Sequence, residues 1–349
     1  MDHIDKNEIQ RIGILRALYL GDMLCIIPTV RAVRAAYPKA RITLIGLPWE
    51  KSFVTRFHLY FDDFLEFPGW PGLPEQEVMP EKLPDFITSM QYEHFDLFIQ
   101  MQGNGTETNA LCILFDARYT IGLREPGEKT LNPVYFPESG DDEHEILRFL
   151  KLTSVLAIPQ QGTALEFPFL PEEEHAFETM QHQLNLLSHK YICIHPGARS
   201  ELRRWPAENF AAVANEIIPE GYQVVLTGSS AEAVILREVE QQIHHPVINL
   251  VEQCGHVGIG ELAQIIVHSE LLISNDTGVS HVAAALQVPS VILFSAHSDP
   301  GRWAPLDTSL HRVVGPGQVK DIPFVVKLVK EQLQHKATSF IPTLAPDNP

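Results

Sequence analysis

The chain has 349 residues, 45% hydrophobic and 20% charged, which is enough for two cores of ordinary size. A formal charge of −18 excludes a general nucleic-acid binder, because neutralising phosphates takes a dense basic surface. The opening MDHIDKNEIQ lacks the basic start and apolar stretch of a secretory signal, and no window approaches the roughly 18 apolar residues of a spanning helix, so a cytoplasmic protein is expected.

The elements follow in chain order. RIGILR is a short apolar strand, ALYLGD a turn, the stretch to Tyr37 a helix, and RITLIGL a second strand, which together make a βαβ opening. Pro28 is expected to break or kink that helix. Strand patterns recur at 62–67, 95–100 and 118–123, PGWPGLPEQEVMPEKLP reads as an irregular loop, and a helical stretch lies near 143–157. The segment IPQQGTALEFPFLPEEE marks a junction, giving domains 1–170 and 171–335 and a tail 336–349. The pattern then restarts with YICIHPGA, QVVLTGSS, PVINL, LLISNDTG and SVILFSA, separated by helical stretches such as ENFAAVANEI. Near-continuous apolar strands alternating with helices predict two doubly wound parallel sheets in series. The helix around DIPFVVKLVKEQLQ is expected to cross back to the first domain, and the tail TSFIPTLAPDNP to be poorly ordered.

Charge and cysteine usage narrow the partners. Residues 1–60 carry nine Lys or Arg against five acids, a net +4. Such a segment either forms solvated helix faces or draws in an anionic acceptor or the anionic inner-membrane surface over about a Debye length. Cys25, Cys112, Cys193 and Cys254 lie far apart among apolar or small neighbours and read as buried free thiols. The 16 histidines form no H-E-x-x-H, so no metal site is expected.

Ligands of doubly wound sheets bind beyond the carboxyl ends of the strands, and here those loops are rich in Gly, Ser, Thr, Asn, Asp and His. No G-x-G-x-x-G follows the first strand and no G-x-x-x-x-G-K-[ST] occurs, which argues against a nicotinamide dehydrogenase or a P-loop NTPase. In ISNDTGVSHVAAAL, Thr277 and Gly278 open a helix whose free N–H groups suit a diphosphate, though N-capping by Asp276 or Thr277 explains the same pattern. In HPGARSELRRWPAENF, Gly197 permits close backbone approach and Arg203 or Arg204 offers forked hydrogen bonds to phosphate; incidental surface arginines are the alternative. In TGSSAEAV, Glu232 either accepts from ribose hydroxyls or complements a helix dipole.

Together these loops resemble glycosyltransferase family 9, the lipopolysaccharide heptosyltransferase family. The resemblance rests on LGDMLCIIPTVRAVRAAYP, DLFIQMQG, RYTIGL, HPGARSELRRWPAENFAAVA, VVLTGSSAE, ELAQIIVHSELLISNDTGVSHVAAAL and VPSVILFSAHSDPGRWAP, which cover most of residues 11–307 in the family's order. It implies an α/β protein of GT-B architecture, two Rossmann-like doubly wound domains facing each other across a cleft. The N-terminal domain would bind the acceptor and the C-terminal domain the nucleotide sugar. The implied reaction is inverting transfer of heptose or a related sugar from a nucleotide-activated donor, ADP-heptose foremost, to a lipopolysaccharide core or other glycan. The donor is a co-substrate, and neither cofactor nor metal is implied.

By the same resemblance Asp22 is the general base, taking the proton of the acceptor hydroxyl; the alternative is that it caps a helix beginning at Met23. Arg203 falls where the family usually has lysine, with Gly197 and Arg204 beside it. Glu232 matches the ribose position, and Asp276, Thr277 and Gly278 match the diphosphate and sugar loop. His281 is either a donor contact or a packed helix-face histidine. Gly21, Gln102, Arg124, His144 and Arg148 fall on the acceptor side. Two segments depart from the family: SAHSDPGRW stands where many members have Gly-Pro-Thr, and NGTETNA is unusually polar. A sugar-nucleotide epimerase or phosphorylase of the same fold, and a non-catalytic nucleotide-sugar-binding homologue, are the competing readings.

Overall fold

The structure is a computed structural model, describing residues 4–129, 132, 134–140 and 142–339, with side chains through residue 334. The chain divides into two compact units, Met1–Pro168 and Phe169–Pro349.

The first unit runs β1 (Arg11–Leu15), α1 (Leu20–Ala36), β2 (Arg41–Gly46), α2 (Glu50–Arg56), β3 (Asp63–Glu66), α3 (Leu83–Tyr92), β4 (Leu97–Gln100), α4 (Thr108–Ile113), β5 (Tyr119–Ile121) and α5 (Glu145–Val155). Its five strands are parallel in the order β3-β2-β1-β4-β5, with Ile14 opposite Leu44 on one side and Ile99 on the other. Both faces of the central strands are covered, so they read as apolar runs rather than alternating ones. Phe67, Phe86, Phe98 and Phe115 meet edge to face on one side of the sheet. Each contributes about 1.5–3 kcal/mol by burial. Gly13 makes room for them, since a Cβ there would lie 2.6 Å from the Phe98 ring.

The second unit runs α6 (Pro171–Leu184), β6 (Tyr191–His195), α7 (Ala207–Ile217), β7 (Gln223–Leu226), α8 (Ala233–Glu240), β8 (Ile248–Asn249), α9 (Leu250–Cys254), α10 (Ile259–Val267), β9 (Leu271–Asn275), α11 (Gly278–Ala285), β10 (Ser290–Leu293), α12 (Pro300–Trp303), β11 (His311–Val314) and α13 (Ile322–Ser339). Its six strands are parallel in the order β11-β10-β9-β6-β7-β8. Phe210, Ile217, Val224, Leu236, Ile273 and Val329 belong to one core under α7, α8 and α13.

Several expectations need correction. Helix α1 starts at Leu20, so Gly21 and Asp22 sit inside its first turn rather than in a turn before it, and Met23 N–H bonds Tyr19 O at 2.9 Å. Pro28 does not end the helix; its missing N–H costs one bond to the Leu24 carbonyl, and the buried face of α1 holds the element together. Strand β11 was not anticipated, because HRVV is too short and polar to stand out. Helix α13 packs on α7, β10 and β11 of its own unit, placing Val325, Val329 and Leu333 in the core. The junction lies at Pro168, where Arg31 bonds Gln161 O, Ala164 O and the Glu166 carboxylate and Arg56 bonds Pro168 O at 2.7 Å. Those bonds bind the segment to the first unit. Helix α13 reaches Ser339, inside the expected tail, and the remaining tail lies outside the described residues. Three cysteines are buried free thiols, while Cys254 is half-buried.

Among the described residues no helix is long and apolar enough to cross a membrane. The basic opening segment is largely spent internally. Arg11, Arg16, Arg31, Arg34 and Arg41 pair with Glu93, Glu145, Glu166, Asp62 and Asp63, and Arg56 lies over the Phe167 ring. The exposed pairs among these stabilise little.

Candidate functional site

In each sheet the chain leaves its first strand in one direction, then returns to its other side. The switch points therefore lie between β1 and β4 in the first unit and between β6 and β9 in the second, and ligands of open α/β sheets bind beyond such points. The loops after those four strands carry most of the residues singled out above.

In the first unit the loop after β1 is held from three sides. Arg16, with no exposed surface, donates from Nη1 to Met101 O at 2.5 Å, and from Nη2 to Glu145 Oε1 at 2.9 Å, to Asp22 O at 3.2 Å and to Asp22 Oδ1 at 3.4 Å. Gln102 accepts the Ala17 amide at 2.8 Å. Glu50 accepts the Leu18 amide at 2.9 Å. Asp22 is the third residue of α1, and its side chain is 23% exposed while its neighbours Arg16 and Glu145 are buried. A carboxylate in a helix's first turn is favoured by the free N–H groups there. Burial pushes the Glu50 carboxyl up to about 9 against the opposing pull of the Leu18 and Leu47 amides and Arg16, so it is protonated at neutral pH.

The other residues expected on the acceptor side are bonded within the first unit. Gly21 and Gln102 are buried parts of this loop support. Arg148 is fully buried, donating to Glu145 Oε2 at 3.3 Å and to Gly103 O at 3.1 Å. His144 caps α5 by accepting the Ile146 amide on Nδ1 at 3.2 Å. Arg124 pairs with Glu138 in an isolated parallel bridge and donates to Phe136 O, Glu128 O and Glu138 Oε1. The polar NGTETNA turns inward too: Thr108 donates to Gln102 O at 3.1 Å and Asn109 to Leu123 O at 2.9 Å.

In the second unit the loops after β6 and β9 are cross-linked by Asn275, which is completely buried. Its Oδ1 accepts the Trp205 amide at 2.9 Å, and its Nδ2 donates to Pro196 O at 2.8 Å and to Gly197 O at 3.3 Å. Asn275 lies in ISNDTGVSHVAAAL, whose pattern alone shows no such role; an amide ending a strand beside a Gly-containing loop was the available signal. Asp276 is buried and accepts from Ser298 Oγ at 2.5 Å, so the divergent SAHSDPGRW segment is tied to the same loop. Arg203 Nη1 lies 3.6 Å from Asp276 Oδ2 with 40% of its side chain exposed. Arg204 is committed to Ala198 O at 2.9 Å and to Glu201. Of the two, Arg203 is the more exposed, at 40% of its side chain against 25%.

Thr277 precedes α11 in extended conformation and forms no side-chain cap, and Gly278 is the first helical residue, so the N–H groups of this turn are not taken by a capping side chain. Glu232 Oε2 accepts from the Ser229 amide and hydroxyl, both at 2.8 Å, and a Cβ on Gly197 would collide with its carboxyl. Burial works against the Glu232 charge, yet His195, the Ser229 donors and Arg204 together hold its pKa below the ordinary value. His195 is buried against Thr227 Oγ1 at 3.0 Å, and burial lowers its pKa. His281 is a packed residue, 5% exposed and edge-on to Trp303. Among the described residues no three His, Cys, Asp or Glu side chains form a cluster that could hold a metal ion.

The glycosyltransferase family 9 (heptosyltransferase) model matches residues 85–327. The chain belongs to that family. It is therefore a glycosyltransferase, and the transferase reading displaces the epimerase, phosphorylase and non-catalytic alternatives. The match includes the whole Asn275-linked site; Asp22 and Arg16 lie before it. This glycosyltransferase is 34% identical over 317 residues to lipopolysaccharide heptosyltransferase 3 of Escherichia coli K12, covering 82% of this chain and 83% of that one. Among solved structures it resembles the family 9 glycosyl transferase of Veillonella parvula, with a TM-score of 0.76 at 20% identity over 93% of this chain and 97% of that one. It also resembles the E. coli ADP-heptose lps heptosyltransferase II, with a TM-score of 0.70 at 20% identity over 94% and 100% of the two chains. At such identities these structures speak for the fold, two parallel-sheet α/β units of the GT-B kind.

Proposed function

We propose that this glycosyltransferase transfers heptose, with inversion, from ADP-heptose to a lipopolysaccharide core acceptor in the cytoplasm, with Asp22 as general base. The similarity to lipopolysaccharide heptosyltransferase 3 supports the sugar and the acceptor. The observation that carries the base is the Asp22 carboxylate itself, 23% exposed at the β1–β4 switch point above a buried guanidinium. In the step proposed, the acceptor oxygen forms a bond to the anomeric carbon as its proton passes to Asp22. The bond from that carbon to the diphosphate oxygen breaks, and its electron pair leaves with the diphosphate. Arg203 and the N–H groups at the start of α11 stabilise the charge that develops there, with no metal called for in this scheme. Glu232 receives the ribose hydroxyls.

The test is a transfer assay with ADP-heptose and a heptose-deficient core acceptor. Asp22→Asn should abolish transfer while calorimetric ADP binding stays within about twofold of the parent, as expected for a base that touches the acceptor. Full activity in that variant would remove Asp22 from the mechanism. A thermal-shift comparison of ADP, UDP, GDP and CMP tests the donor base, because a ligand of the native state raises apparent stability by mass action.

A further inference from the structure

Asp276 is a buried charge met from two other loops. Its side chain is 4% exposed. Ser298, in the loop after β10, donates from Oγ to Asp276 Oδ2 at 2.5 Å, and Arg203, in the loop after β6, forms an ion pair with the same oxygen, Nη1 lying 3.6 Å away. The backbone of Asp276 is fixed separately, its amide bonding Leu293 O at 3.1 Å. A carboxylate this far from water is costly unless both charge and hydrogen bonds meet it. Arg203 supplies the charge and Ser298 the short hydrogen bond.

The hydroxyl is itself held in place by its loop. The Ser298 amide bonds Ser295 O at 3.2 Å, the His297 amide bonds Ser295 Oγ at 3.1 Å, and Asp299 Oδ1 accepts the Gly301 amide at 2.8 Å where α12 begins. Those turns are closed by other groups, so the bond from the Ser298 hydroxyl is spent on a neighbouring loop and sets the plane of the Asp276 carboxylate. Arg203 is a long, 40% exposed side chain on the short turn Glu201–Arg203, where its amide bonds Ser200 O at 3.0 Å. Such a side chain has many rotamers, and the direction in which Asp276 presents Oδ2 selects among them. A guanidinium carries five N–H donors in a fixed fork, so it can rest on Asp276 through one and meet phosphate oxygens through others.

We propose that Ser298 is a positioning residue for donor binding: it fixes the Asp276 carboxylate, and through that carboxylate it holds the Arg203 guanidinium ready for the donor's diphosphate. A guanidinium placed before the ligand arrives loses less rotamer freedom when it binds, which is a gain in affinity without a new contact. The SAHSDPGRW loop thereby acts on phosphate recognition at one remove, through its hydroxyl. This rests on Arg203 meeting the diphosphate, and the two ideas fail differently.

The experiment is a double-mutant cycle on the full chain, with donor KM, acceptor KM and kcat read for Ser298→Ala, Arg203→Ala and the pair. Ser298→Ala should raise the donor KM about three- to tenfold and leave the acceptor KM within about twofold, and Ser298→Thr, which keeps the hydroxyl, should restore most of the loss. In the Arg203→Ala background, Ser298→Ala should change the donor KM by less than about twofold, because the residue it acts through is gone. A loop that is merely structural acts independently of Arg203. The same factor in both backgrounds, an equal rise in acceptor KM, or an unchanged donor KM therefore overturns the proposal. If Ser298→Ala does not fold, Ser298→Cys, with its weak S–H donor, takes its place in the cycle and is read in the same way. An Arg203→Ala variant with unchanged donor KM would instead defeat the phosphate role of Arg203, and this inference with it; an effective Arg203→Ala beside an additive Ser298→Ala defeats only this inference.

Discussion

Asn275 Oδ1 accepts the Trp205 amide at 2.9 Å, tying the end of β9 to the approach of α7. The same side chain donates to Pro196 and Gly197 carbonyls, so one buried amide closes three bonds to two other stretches of chain. Asn275→Ala leaves those groups unpartnered and should cost about 2–4 kcal/mol, read from urea unfolding. Asn275→Asp should be no better, because it sets a carboxylate oxygen against two carbonyls. A loss under about 0.5 kcal/mol in both variants would contradict this assignment.

Gly197 sits where a Cβ would meet the Glu232 carboxyl, yet its backbone is not in the left-handed region. Gly197→Ala should therefore fold, push Glu232 off the Ser229 donors and weaken ADP binding about tenfold, with about 1 kcal/mol of stability lost from the broken cap. Calorimetry with ADP checks the first effect and denaturant midpoints the second. Unchanged ADP affinity would separate Glu232 from the nucleotide.

The two adjacent arginines should behave differently. Arg203→Ala should raise the donor KM by about 10- to 100-fold, and Arg203→Lys should recover much of it, because a point charge replaces a fork at one phosphate. Arg204→Ala should act mainly on stability, by about 1 kcal/mol, since its guanidinium is bonded to Ala198 and Glu201. Steady-state kinetics with the donor varied separates the pair; equal effects on KM would show that Arg204 also reaches the ligand.

Stability should depend on pH from two buried groups with opposite signs. Burial, with a smaller contribution from His281, lowers His311 to about 4 despite the opposing pull of Asp307. The unfolded chain then binds more protons below about 6.5, so stability is lost as pH falls from there toward 4. Glu50, raised to about 9, holds a proton that the unfolded chain releases above about 4.5, so its contribution is lost as pH rises through 9. Glu50→Gln should flatten the alkaline side of a melting-temperature profile, and His311→Asn the acid side. An alkaline slope identical in Glu50→Gln and the parent would sink the first claim.

Much of the fold was legible because both sheets are parallel and buried on both faces, which writes each strand as a short apolar run. YICIH, QVVL and LLISN are such runs, and the loops after all three carry the ligand motifs. Strand β11 escaped because HRVV lies at the sheet edge, where half its residues are only partly buried and polar ones are tolerated. The start of α1 was misplaced by three residues because glycine at its second position reads as a turn residue, although it is buried in the helix.

The residue types of the site were in the sequence; their tasks were not. His144 and Arg148 resemble a pair that recurs in the family, and such a pattern records that a residue is present at a spacing without saying which way its side chain points. Only folding showed Arg148 bonded to Glu145, Arg124 bonded to Glu138, and Arg16, the residue after β1, set between Asp22 and Glu145. By itself the sequence determined the two parallel sheets, the order of their loops and the chemistry those loops carry, because hydrophobic period and loop composition are local properties. The tertiary structure decided which polar groups are spent on one another and which remain for a ligand. That outcome depends on contacts between residues as far apart as Arg16 and Glu145, and on burial, which sets the cost of leaving any charge unpaired.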